Sequence, residues 1–328
     1  MNKFIQSAVV TATIFAGATL APLTTAQAET TLTTSSVNAI GSIENRTGKK
    51  FVELLEGSSL KVNHVEGTVL GNAAQVMDQT ISGAVDVMIN DMAWVAGFHP
   101  DLTVLNWSFT FNDTDHLDAF FNSDQFSAIV DDVASETGVR VLAAAATQPR
   151  YFHSRVPVSS AEDIKGLKVR VPQIRVFIDS WDAMGAVPTP MNFSEVFLGM
   201  KTGVIDGAFG NPSATFPNNF HVSGQNIVTL GDTNSSMGMF VNEARFQSLS
   251  DEDKSALIAA AKETIAWAQA QAQQEMQAVL DKMVETGATL TDIDSSALRA
   301  ATLEKGRQLE EEGMWSKGLL DSIQGLDS

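Results

Sequence analysis

Among the residues able to do chemistry, Arg170 has the most unusual setting. In GLKVRVPQ, residues 166–173, Leu167, Val169 and Val171 fall on one side of a strand, Lys168 and Arg170 fall on the other, and Pro172 ends it. A guanidinium in such a strand needs an anion or acceptor, which is either a carboxylate of this chain or one that arrives from solution. The carboxyl end of a strand in an open α/β sheet faces the ligand crevice. There a guanidinium can grip a carboxylate through two parallel hydrogen bonds.

Other residues could share that task. Arg150 lies between Pro149 and Tyr151, and GNPSATF (residues 210–216) offers Asn211, whose amide can bind an anion, with Pro212 as a preset helix start. Phe193 opens a helix just after PTPM, where composition alone slightly favours ordinary core packing. Signatures of hydrolases, zinc peptidases, nucleotide-binding loops and dinucleotide folds are absent from the sequence. The five histidines (His64, His99, His116, His153, His221) are scattered. The densest polar cluster, NDTDH at Asn112–His116, could supply metal ligands, but it directly precedes LDAFFNS and reads better as a helix cap. LEEEG near Glu310 reads as a solvated helix end.

These residues need a frame to position them, and strands and helices alternate along the chain. TLTTSSV, LKVNHVEG and AVDVMIN read as strands separated by the helices IENRTGKKFVELLEG and NAAQVMDQTISG. GVRVLAAAATQPRYF follows as one long strand passing between lobes, and a second series runs from LKVRV through VPTPM to IDGAFG. The expected fold class is α/β, two lobes with hinge strands. After the strand SMGMFVN, apolar residues from Leu257 to Met283 recur at steps of three or four behind a capping box of Ser250 and Asp253, and Gly287 marks the stop. At about 1.5 Å per residue this helix would be on the order of 50 Å long, enough to lie across both lobes.

Composition limits the partners. The formal charge of −18 disfavours nucleic acid and anionic lipid, so any anion must be held locally against the overall field. The first residues have a basic Lys3, an apolar stretch to Leu20 and the triplet Ala26-Gln27-Ala28, which together read as a signal peptide of residues 1–28 cleaved after Ala28. The absence of cysteine excludes disulfides, thiol chemistry and a lipidated N-terminal cysteine. The compartment expected is the periplasm.

DIKGLKVRVPQ, WDAMGAVPTPMNFSEVFLGMKTGVIDGAFGNP, GTVLGNAAQVMDQTISGAVDVM and FTFNDTDHLDAFF together resemble the solute-binding proteins of tripartite ATP-independent periplasmic (TRAP) transporters, over nearly all of the chain after the leader. The resemblance implies two α/β lobes joined by hinge strands and a long bridging helix, closing on a small-molecule carboxylate. It places the family's strand arginine at Arg170, its binding asparagine at Asn211, its aromatic at Phe193, a site position at Gln173 and a second basic residue at Arg150. Phe209 and Trp94 complete the ligand-binding set. One departure is DGAFGNP, where members commonly read D-G-Q-E-N-P; Phe209 and Gly210 replace polar groups and make the pocket more apolar.

The lobes expected are residues 29–147 plus 236–276 and residues 148–235 plus 277–328. The protein is expected to be a monomeric receptor without metal or cofactor that delivers an organic acid to the membrane permease subunits. An exported α/β enzyme and a signalling adaptor that does not transport are the alternatives.

Overall fold

A computed structural model describes residues 30–326, so the signal-peptide reading lies outside the described residues. Strands are numbered along the chain. The first sheet contains β1 (Thr30–Ser36), β2 (Leu60–Glu66), β3 (Val87–Asn90), β4 (Val139–Pro149) and β10 (Asn234–Asn242), in the order β2-β1-β3-β10-β4. The second contains β5 (Tyr151–Ser154), β6 (Lys168–Val171), β7 (Val187–Pro190), β8 (Gly207–Gly210), β9 (Asn226–Thr229) and β11 (Thr289–Asp292), in the order β11-β9-β5-β8-β6-β7. Strands β1, β2 and β3 are mutually parallel, as their alternation with helices implies, while β10 runs antiparallel to both β3 and β4.

Local chemistry explains the boundaries. Ser42 caps the helix Ile43–Leu54, and Asn72 with Gln75 forms a reciprocal capping box before the helix Ala73–Ser82. Gly207 at the start of β8 is required, because a Cβ there would lie 2.7 Å from the carbonyl oxygen of His153 on β5. Its neighbour Asp206 accepts a hydrogen bond from the backbone N–H of Lys168 at 3.0 Å, which ties the start of β6 to β8.

Some expectations about elements change. The segment read as one long strand divides at Arg150 into β4 of the first sheet and β5 of the second. The backbone N–H of Arg150 leaves the ladder to donate to Thr233 O at 3.0 Å, in the connection that carries β9 back to β10. Glu310 is not solvated: it is buried, accepts from Trp315 Nε1 at 2.9 Å and from the backbone N–H of Leu320 at 3.1 Å, and so anchors the C-terminal helices Ser296–Glu311 and Leu319–Gln324. A Glu-rich string looks solvated in one dimension, and only the fold brings indole and amide donors to one of its carboxylates.

The long helix spans Asp251–Glu285, with Ser250 accepting from the N–H of Asp253 at 3.1 Å. Asp253 does not close the box; its carboxylate accepts instead from the Ser59 hydroxyl. Leu257, Ala261, Ile265 and Ala272 pack with Leu32 and Met239 of the first sheet and Phe51 of the helix Ile43–Leu54, whereas Leu280 and Met283 pack with Tyr151 and Ile227 of the second sheet. One apolar face therefore serves two cores, and the helix bridges both lobes. Another core runs without interruption from Met88 and Phe240 through Trp107 to Val169 and Phe209.

Candidate functional site

A cavity of about 510 Å³ opens between the lobes, and Arg170, Asn211, Phe193, Arg150, Gln173, Phe209 and Trp94 all line it. That volume suits a small organic ligand.

Arg170 lies one residue from the end of β6, in register with Thr189 on β7 and Ala208 on β8. Val169 and Val171, pointing the other way, are fully buried. The Arg170 side chain is itself buried; its Nε donates to Met191 O at 2.9 Å and its guanidinium lies 5.3 Å from the centre of the Phe193 ring. No acidic side chain among the described residues pairs with it. Burial, and then the charge of Arg150, push its pKa down to about 9, with Glu195 opposing, so it remains a cation at neutral pH. A desolvated, unpaired cation beside a second cation is a site that gains most from an arriving anion.

Arg150 is differently placed, since its charge is already matched. Its Nη2 donates to Asp91 Oδ2 at 2.8 Å and its Nε to Ser235 Oγ at 3.0 Å, while the rings of Phe177 and Phe209 lie 5.2 and 5.7 Å from the guanidinium. Phe209 stacks on Trp181 at 5.3 Å, so this aromatic position belongs as much to the core as to the cavity wall.

Asn211 caps the short helix Pro212–Thr215. Its Oδ1 accepts from the N–H of Ala214 at 2.8 Å, which commits the oxygen and leaves the Nδ2 donors without a partner among the described residues. The fold thus presents the half of the amide that an anion can use. Phe193 is half-buried, 4.9 Å from Phe220; Gln173 is exposed and Trp94 half-buried. The NDTDH cluster is structural: Asp113 caps the helix Thr114–Phe121, and His116 Nδ1 accepts from the N–H of Asn112 while Nε2 bonds to Ile323 O at 2.8 Å.

Three acidic residues of the wall, Asp91, Glu44 and Glu66, escaped the sequence reading. Asp91 follows the end of β3, and the rule that singles out Arg170 at a strand's carboxyl end applies to it equally. Glu44 gives no such signal, since an acid in the first turn of a helix reads as a complement to the dipole. In the structure it is buried at the cavity, its Oε2 has no hydrogen-bond partner, and burial pushes its carboxyl above the usual range despite nearby Asn38 and Ser42.

Residues 34–312 match the family described as bacterial extracellular solute-binding protein, family 7. The chain belongs to this family, that of TRAP-transporter solute-binding proteins. It is 29% identical over 240 residues to the sialic acid-binding periplasmic protein SiaP of Vibrio cholerae, covering 72% of this chain and 74% of that one. It is 28% identical over 261 residues to the 2,3-diketo-L-gulonate-binding periplasmic protein YiaO of Escherichia coli, covering 77% and 78%. The crystal structure of a TRAP periplasmic solute-binding protein from Citrobacter koseri with bound D-glucuronate superposes with a TM-score of 0.82 at 26% identity, covering 90% of this chain and 99% of the other. As a member of this family the protein is a periplasmic, non-catalytic transport carrier.

Proposed function

We propose that the protein captures a small organic acid by its carboxylate at Arg170 and delivers it to the membrane permease subunits of a TRAP transporter. The observation that carries this reading is the buried Arg170 guanidinium, which faces the cavity with no carboxylate partner among the described residues. Asn211 Nδ2 supplies a neutral donor, Phe193 supports the guanidinium from below, and Trp94, Gln173, Arg150 and Phe209 complete the enclosure. The lobes we assign are residues 29–147 with 236–276 and residues 148–235 with 277–328. The mature protein acts as a monomer after cleavage behind Ala28, and mass spectrometry of periplasmic protein beginning at Glu29 checks the processing.

A thermal-shift screen of organic acids tests the function. A ligand present at 100 times its Kd adds about 2.7 kcal/mol of stability, so a true ligand raises the melting temperature well beyond the effect of salt. Failure of every carboxylate to do so, with the protein folded, defeats the reading.

A further inference from the structure

The polar and apolar groups of the cavity are unevenly committed, and this restricts the ligand further. Of the charged residues on the wall, Arg150 is paired with Asp91 at 2.8 Å and Glu66 with Lys49 at 2.7 Å. Arg170 is left as a single unpaired cation, which matches one carboxylate and offers nothing to a second.

Several amides and hydroxyls of the wall have one of their polar atoms engaged within the protein, which narrows what they can offer to sugar hydroxyls. Asn72 Oδ1 accepts from the N–H of Gln75 at 3.0 Å, Asn90 Oδ1 from the N–H of Asp91 at 2.8 Å, and Ser235 Oγ from Arg150 Nε at 3.0 Å. Asn218 Nδ2 donates to Ala214 O at 2.8 Å. A ligand hydroxyl enclosed here without a partner would weaken binding by roughly tenfold or more.

The apolar groups, in contrast, are uncommitted. Ile40 and Val69 are the two most exposed large hydrophobic side chains among the described residues, at 73% and 79%, and both line this cavity. Scattered exposed aliphatics need no explanation, but the two extremes converging on one cleft do. The half-buried Trp94 adds an aromatic face to the same wall. Closing the lobes on an apolar body would remove these side chains from water.

We propose that the site selects monocarboxylates with an apolar body over polyhydroxylated sugar acids, an inference that rests on the carboxylate reading of Arg170. The preferred ligand lays an aliphatic or aromatic ring against Ile40, Val69 and Trp94, with its carboxylate at Arg170. Burial raises the pKa of Glu44 and so disfavours charge on that part of the wall.

Calorimetric titration with a matched pair of six-membered-ring acids tests it: cyclohexanecarboxylate, which has no hydroxyls, and D-glucuronate. Cyclohexanecarboxylate is expected to bind at least about tenfold more tightly. The double substitution Ile40→Ser and Val69→Ser should weaken it by about tenfold while moving D-glucuronate by less than about twofold, and should leave the melting temperature of the empty protein unchanged because both side chains are exposed. Equal or tighter binding of D-glucuronate, no binding of either acid at millimolar concentration, or an unchanged affinity in the double variant overturns the inference. The underlying carboxylate reading is separated by Arg170→Gln. If this variant abolishes D-glucuronate binding that wild type prefers, only the apolar selectivity fails; if it binds either acid as wild type does, the carboxylate reading itself fails.

Discussion

Removing the Arg170 guanidinium should separate binding from folding. Among the described residues this side chain makes one hydrogen bond, to Met191 O at 2.9 Å, and rests on Phe193 at 5.3 Å. Those contacts contribute on the order of 2–4 kcal/mol together. Against them stands the cost of burying an unpaired cation. Its pKa falls from 12.5 to about 9, and at about 1.4 kcal/mol per unit the charged form is disfavoured by roughly 5 kcal/mol. The two sides nearly cancel, so Arg170→Ala should leave the empty-state melting temperature within a few degrees of wild type, or raise it. Binding should respond differently, because the ligand carboxylate would enter a closed site without its partner. Such truncations cost roughly 2–5 kcal/mol, or about 30-fold to several thousand-fold in affinity. Arg170→Lys keeps the charge but loses the planar fork and should approach alanine. Differential scanning calorimetry of the empty variants, paired with titration of the best acid from the thermal screen, reads both quantities. A folded Arg170→Ala that binds near-natively, or one whose empty-state stability collapses, would refute the argument.

Asp91→Asn leaves Arg150 buried without its counter-charge and should destabilise the protein by about 2–4 kcal/mol, seen as a lower urea midpoint; an unchanged midpoint would show that the pair matters little. His153 is fully enclosed, and burial followed by the neighbouring His221 pushes its pKa down to about 3. The unfolded chain binds a proton below about pH 6.5 that folded His153 refuses, so its contribution to stability should fall by about 1.4 kcal/mol per pH unit between those values. His153→Leu should flatten that slope in acid unfolding curves, and an identical slope would argue against it. Small-angle scattering should show a smaller radius of gyration at saturation with ligand, since the cavity lies between lobes joined by strand crossings and one helix; an identical profile would count against closure.

Much of the architecture was written in local pattern. Strand alternation placed Arg170 and its neighbours Val169 and Val171 on opposite faces, and the three-to-four spacing from Leu257 to Met283 marked a helix long enough to serve two cores. The cap at Asp113 was legible for the same reason, because it depends on residues within four positions. The break at Arg150 was not legible, since it is made by Thr233 and Asp91, distant in sequence. That same long-range pairing makes Arg150 a matched charge and Arg170 a free one, a difference their identical side chains cannot express. Glu310 was misread and Glu44 passed over on similar grounds, because whether a carboxylate is solvated depends on what folds over it. Sequence by itself determined which residues could hold an anion and on which elements they sit. Only the tertiary structure decided which of them remains unpaired in the cavity, because hydrogen-bond and charge partners are assigned by packing between segments, not by periodicity within one.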